Sequence, residues 1–355
     1  MTGQQGTESF GIGPAAAGPM LDVRDLRVQI ASRAGTVRAV DGISLEVASG
    51  EALGLVGESG SGKSMTLRAI LGVLPPEAKI TSGQILLDGV DLVPLSNSDL
   101  NQIRGPKMSM IFQEPMSALN PVMRVGNQIA EGPRVHLGYN RAKAAERALE
   151  LMRRVGIPDP ERRFRAFPHE FSGGMRQRVM IAIALSCDPE IILCDEPTTA
   201  LDVTIQDQIL RLLARLCAES GVSLIFVTHD LPVVAQLCQR VAVMYGGQLV
   251  ETGDVRDVLL EPRHPYTLGL VRSAPDVDHV RESLVPIPGS PPSLVTPPSG
   301  CRFHPRCLFV EEDCKVLPTP LRELSCGRST ACLHYERTEE AVAADRAASA
   351  DRARS

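Results

Sequence analysis

The sequence predicts an α/β protein: a parallel core sheet, an antiparallel strand pair ahead of it and an all-helical insertion within it. Three observations carry that prediction. Short, nearly continuous apolar runs alternate with helical patterns, a glycine-rich loop joins one such run directly to a helix, and residues 120–186 lack strand signals altogether. Apolar runs without alternation belong to strands covered on both faces, and such strands are found in parallel sheets flanked by helices.

Taken in order, residues 1–20 are Gly, Ala and polar residues and read as a flexible tail. Residues 21–28 and 43–47 alternate apolar and polar positions, as half-buried antiparallel strands do. Residues 52–56 form an unbroken apolar strand that feeds a glycine loop and then a helix over 64–74. Further buried strands are expected at 108–112, 191–194, 223–227 and 241–245, with a helix over 204–219 between two of them. The insertion at 120–186 should hold helices over 142–155 and 175–185. From 336 to 355 Ala, Arg and acidic residues dominate, which suits a flexible tail or a frayed helix.

Bulk properties exclude several functions. The chain has 355 residues, a formal net charge of -5 and no Trp. A nucleic-acid surface needs a basic stripe and stacking rings, so nucleic acid is not an expected partner. The start lacks a basic segment followed by an apolar run, so no secretory signal is visible, and no stretch is long and apolar enough to span a bilayer. Nine cysteines without an export signal point to reduced thiols or metal ligands rather than disulfides.

Gly57-Glu58-Ser59-Gly60-Ser61-Gly62-Lys63-Ser64 matches the phosphate-loop pattern G-x-x-x-x-G-K-[ST] in full, with Met65 completing the nucleotide-binding stretch. Average residue usage gives that pattern a chance of roughly 1 in 100 in a chain of this length. The glycines let consecutive backbone N–H groups face phosphates, and the following helix adds its positive end. Lys63 is expected to bridge the β- and γ-phosphates of ATP, and Ser64 to ligate Mg2+. The strand at 191–194 ends in Asp195 and Glu196. Carboxylates there suit Mg2+ binding (Asp195) and general-base activation of water (Glu196); the alternative is that both merely cap the next helix. Gln113 and His229 follow buried strands, so both sit where a side chain can reach a γ-phosphate, although either alone reads as an ordinary loop residue.

The order of these motifs resembles the ATP-binding cassette family over about 21–260: glycine loop, Gln113, Ser172-Gly173-Gly174-Met175, Asp195-Glu196, Ala200-Leu201-Asp202 and His229. The resemblance implies a P-loop NTPase of RecA-like fold working as a head-to-tail cassette dimer. In it Ser172, Gly173 and Gly174 meet the γ-phosphate held by the partner's glycine loop, and Asp202 communicates across the interface. His229 contacts the γ-phosphate, and Gln113 reaches Mg2+ and links nucleotide state to a membrane subunit. Two departures stand out: Met175 replaces the usual Gln, and residues 28–40 hold no aromatic to stack on adenine, leaving Ile30 or Val37.

Beyond the cassette come His264-Pro265-Tyr266-Thr267, a proline-rich connector at 286–298, and Gly300-Cys301-Arg302-Phe303-His304-Pro305-Arg306-Cys307, then Cys314, Cys326 and Cys332. This segment, 261–335, resembles the C-terminal extension of ATPase subunits from oligopeptide and dipeptide importers, a branch that includes nickel and glutathione importers. The branch implies a [4Fe-4S] cluster on Cys301, Cys307, Cys314 and Cys332, with Cys326 spare; zinc and plain reduced thiols are the alternatives. Cys187, Cys194, Cys217 and Cys238 lie in apolar patterns and read as small buried residues.

The expected function is therefore the ATP-hydrolysing subunit of a peptide importer. Its expected partners are a second, homologous cassette subunit, two transmembrane permeases and an extracytoplasmic binding protein, and its place is the cytoplasmic face of the membrane. A soluble cassette ATPase acting on DNA or ribosomes would need a coiled-coil arm or a fused second cassette, and neither is visible. A regulator without hydrolysis is disfavoured because Lys63, Asp195, Glu196 and His229 are all present.

Overall fold

The computed structural model describes residues 18–199, 201–273, 286–324 and 327–354. The expected N-terminal tail falls almost wholly outside them. Two sheets organise the chain. The first is antiparallel, in the order β2 (Gly35–Val47), β1 (Leu21–Ser32), β4 (Ala78–Leu87), β5 (Val90–Asp91). β1 and β2 close on each other at Ser32 and Gly35 and bury their apolar faces over β3 (Ala52–Val56) and the helix Lys63–Leu71. The strand pair expected from alternation is present, and both strands extend further toward their shared turn than the apolar pattern alone suggested.

The second sheet has eight strands, in the order β11 (Arg322–Glu323), β12 (Ser329–Thr330), β10 (Gln248–Asp254), β9 (Arg240–Tyr245), β3, β8 (Ser223–Thr228), β7 (Ile191–Asp195), β6 (Met108–Ile111). From β9 to β6 all neighbours are parallel, as the apolar runs predict. β10 then turns back antiparallel on β9, and β12 and β11 continue antiparallel beyond it. Residues of the C-terminal extension therefore enlarge the cassette's own sheet.

The helix expected over 64–74 stops at Leu71. Gly72 takes φ 71° and its N–H closes on Ala69 O and Arg68 O, a left-handed stop that few other residues adopt cheaply. The insertion is helical as expected, with Val125–His136, Arg141–Arg154 and Gly173–Ala184 packed around Ile129, Leu151, Met152 and Ile181. Of the flexible tail or frayed helix expected over 336–355, the structure has the helix. Tyr335–Arg354 is a helix, and its first turns are docked. Thr338 and Val342 are buried, and Arg263–Glu339, Arg272–Asp345 and Arg346–Glu261 pairs fasten it to the chain around 261–272. The two buried side chains make the core contact, and partly exposed charge pairs flank it. No helix among the described residues is long and apolar enough to cross a membrane.

Candidate active site

The site is assembled at the C-terminal ends of the parallel strands, where open α/β sheets bind ligands. β3 delivers the glycine loop. Gly57 and Gly62 have φ 155° and 109°, and a Cβ at either would lie 2.1–2.2 Å from Met244 O or Ala39 O. Only glycine fits both the curvature and the close approach. Lys63 is buried, and its ammonium donates to Gly57 O at 2.7 Å and Glu58 O at 2.9 Å. Burial lowers its pKa, against the attraction of Glu196, Asp195 and Glu58.

β7 ends in the acidic pair. Ser64 Oγ donates to Asp195 Oδ1 at 2.6 Å, and burial raises the Asp195 carboxyl despite that bond. A hydroxyl and a buried carboxylate converging on one point form a hard-oxygen pair that fits Mg2+. Glu196 adopts φ 44°, a region that non-glycine residues enter at a cost and that recurs at functional sites. Its carboxylate Oε2 accepts from Thr199 Oγ1 at 2.9 Å and from Gln113 Nε2 at 3.5 Å, and lies 3.4 Å from His229 Nδ1. Gln113, Glu196 and His229, 116 positions apart at the extremes, meet because β6, β7 and β8 are adjacent and parallel. The alternative in which both acids only cap the next helix does not match these contacts.

The Ser-Gly-Gly segment lies apart. Ser172 caps the helix Gly173–Ala184, accepting weakly from Met175 N at 3.4 Å, and is exposed. Gly174 packs where a Cβ would strike Ile205. Asp202 caps Val203–Ser220 through Ile205 N at 2.9 Å. Ala200 lies outside the described residues. On the far side, Ile30 and Val37 face each other across β1 and β2, and the proline-rich connector runs alongside, with Arg38 N donating to Leu294 O at 2.9 Å.

The extension builds a second pocket. Cys301, Cys307, Cys314 and Cys332 line it together with His264, His304, His334, Phe303 and Phe309. All four thiols are unpaired, and burial raises each; Cys307 reaches about 11 and Cys332 about 12, the latter also raised by its three companions. Cys326 lies outside the described residues. Among the described residues, one group of three candidate ligands lies mutually within 4.8 Å: Asp313, Cys314 and His334. Cys314 is thus the one of the four thiols in that group, beside a carboxylate and an imidazole. His264 Nδ1 accepts the Tyr266 N–H at 3.1 Å, so its proton belongs on Nε2, a buried atom without a partner. By contrast Cys187, Cys194 and Cys238 are buried, as expected, while Cys217 is partly buried against the core.

Several site residues carry no sequence signal. Arg306 reaches Glu58 in the glycine loop, Tyr266 Oη accepts the Glu58 N–H at 2.7 Å, and Glu251 binds the extension through Arg328 at 3.1 Å. Each stands out in sequence only as part of a motif or strand read for another reason.

Comparison with known proteins agrees with this geometry. A family model described as ABC transporter matches residues 40–199, and one described as oligopeptide/dipeptide transporter, C-terminal region, matches 250–314. The chain is 50% identical over 315 residues to a probable peptide ABC transporter ATP-binding protein of Sinorhizobium fredii, covering 88% of this chain and 94% of the relative. It is 46% identical over 316 residues to the oligopeptide transport ATP-binding protein of Escherichia coli, covering 89% and 93%, and 50% identical over 289 residues to the dipeptide transport ATP-binding protein of Bacillus subtilis, covering 81% and 86%. Among solved structures it is similar to a dimeric ATP-binding cassette in a post-hydrolysis state bound to ADP and Pi, with 28% identity and TM-score 0.60 over 67% of this chain and 99% of that one.

Proposed function

The chain belongs to the ABC transporter ATP-binding subunits, in the branch that carries the oligopeptide/dipeptide C-terminal region, and from that premise we propose that it energises peptide import through ATP sites shared between two cassettes. It is an ATPase whose hydrolysis is coupled to transport, and it uses ATP and Mg2+. The single observation that carries the mechanism is the convergence of Gln113, Glu196 and His229 beside Lys63, Ser64 and Asp195.

In this reading Glu196 takes a proton from the attacking water through its carboxylate, while Gln113 and His229 orient that carboxylate and the γ-phosphate. Ser64 and Asp195 would hold Mg2+, which when bound would supply positive charge to the phosphates. Lys63 trades its two backbone carbonyls for phosphate oxygens. Exposed Ser172 with Gly173 and Gly174 completes the partner's site, Asp202 lies at the shared boundary, and Ile30 or Val37 packs on the base. The partner cassette is a homologous subunit, two permeases receive the motion of the helical insertion, a binding protein delivers the peptide, and the chain works at the cytoplasmic face of the membrane. The domain limits follow: cassette 21–260 with its helical part at 120–186, and extension 261–335.

For the cysteine pocket the reading is a [4Fe-4S] cluster held by Cys301, Cys307, Cys314 and Cys332. Two features support it: the four thiols line one pocket, and His264, whose buried Nε2–H has no protein partner, lines the same pocket. Such a cluster would supply a cationic centre that stabilises four otherwise repelling thiolates.

The composite site is tested with Ser172→Arg in the assembled membrane complex. ATP binding to the chain's own loop should persist while hydrolysis at the site it completes is lost. Undiminished hydrolysis there would exclude a shared site.

A further inference from the structure

Glu58 is the one acidic residue of the glycine loop, and it is anchored at three points. Its C=O accepts from Lys63 at 2.9 Å, its N–H donates to Tyr266 Oη at 2.7 Å, and its carboxylate is gripped by both arms of Arg306, Nη1 to Oε2 at 2.6 Å and Nη2 to Oε1 at 3.0 Å. Two of the three anchors come from the extension, 208 and 248 positions away.

Arg306 is built for this contact. Its side chain is 4% exposed, and its remaining donors are used: Nε donates to Pro288 O at 2.7 Å, Nη1 also to Tyr245 Oη at 3.3 Å, Nη2 also to Ile287 O at 3.4 Å. Tyr245, Tyr266 and Phe303 pack against one another with ring centroids 4.5–5.4 Å apart, and the guanidinium lies over Tyr245 and Phe303 at 5.8 and 6.0 Å from their centroids. A planar fork, bidentate on a carboxylate and fixed at every other nitrogen, is a rigid element.

The electrostatic problem it answers is specific. A carboxylate inside a loop whose N–H groups face phosphates brings a negative charge beside a polyanion, and in a partly desolvated site that repulsion is weakly screened. We propose that Arg306 is a positioning residue of the ATP site: it cancels the charge of Glu58 and fixes the glycine loop, so that the affinity for ATP is set from the C-terminal extension. The inference rests on ATP occupying the glycine loop, as the function above requires.

The test is equilibrium binding of MgATP to the full-length chain, with thermal unfolding in the absence of nucleotide run alongside. Arg306→Met should weaken binding about tenfold, because the Glu58 charge is then left uncancelled in the loop. The double variant Arg306→Met with Glu58→Gln should bind at least about threefold more tightly than Arg306→Met alone, because the repelling charge is gone although the clamp is gone too. A clamp that serves folding alone predicts otherwise, namely a lower melting temperature with unchanged affinity in Arg306→Met, or a double variant as weak as Arg306→Met. Either result overturns the proposal. Should Arg306→Met not fold, Arg306→Lys, which keeps the charge, should bind more tightly than Arg306→Gln, which does not; equal affinity in the two overturns the charge role. Failure of the unaltered chain to bind MgATP would instead remove the nucleotide site itself, a separate outcome.

Discussion

Ser64 and Asp195 lie 131 positions apart and touch at 2.6 Å, hydroxyl hydrogen on carboxylate oxygen. The two groups expected to share one cation are therefore placed by the fold itself, through the glycine loop after β3 and the end of β7. Asp195→Asn should raise the Mg2+ concentration needed for half-maximal ATPase activity by roughly 10- to 100-fold. A Mg2+ titration at fixed ATP checks this, and an unchanged midpoint would remove Asp195 from the metal site.

Glu196→Gln keeps the shape and the Thr199 contact while removing the proton acceptor. Turnover of the assembled complex should fall by about 100-fold or more with ATP binding retained. Near-normal hydrolysis would assign the base elsewhere.

The buried Glu251 supplies a pH prediction. It accepts the Arg263 and His264 N–H groups at 2.8 and 2.9 Å and an Arg328 N–H at 3.1 Å, yet burial raises its pKa above the ordinary 4.5. The folded chain thus holds this proton more tightly than the unfolded chain. The contribution is complete below the ordinary carboxylate range and is lost as pH rises from about 4.5 through the raised folded value. Compared with Glu251→Gln, the unaltered chain should lose melting temperature between pH 4.5 and 7.5. Parallel curves across that interval would contradict the assignment.

Removing the anion outright is a different experiment. Glu251→Ala leaves Arg328 buried without its carboxylate partner and should cost about 3 kcal/mol of stability. Chemical denaturation at pH 7 measures it, and a cost under about 0.5 kcal/mol would show that the extension docks by other means.

The cysteine pocket makes a visible prediction. Anaerobically purified protein should be coloured and contain iron and acid-labile sulfide, and Cys307→Ser should remove the colour. A colourless sample that retains zinc would overturn the cluster.

Much of the proposed ATP site is legible in sequence because each part is local: a loop pattern, an acid pair at a strand end, a Gln and a His after apolar runs. Their convergence is legible too, once β6, β7 and β8 are recognised as parallel neighbours. Arg306 and Tyr266 are not, because their contacts with Glu58 span more than two hundred positions and leave no periodic trace. β11 and β12 are two residues each, too short for alternation to register. The helix Tyr335–Arg354 reads as a tail because its composition lacks an apolar stripe, while its anchoring uses charge pairs and two buried side chains.

The pairing of Ser329–Thr330 with β10 has a consequence for solubility. Without it β10 would present an unsatisfied row of amides and carbonyls at the rim of the molecule, a template for recruiting other chains. A shortened protein ending after the cassette would carry that adhesive rim and should clump. The C-terminal ribbon thus acts as a stopper over Glu251 and Thr252, and on that side the sheet ends in the two-residue β11.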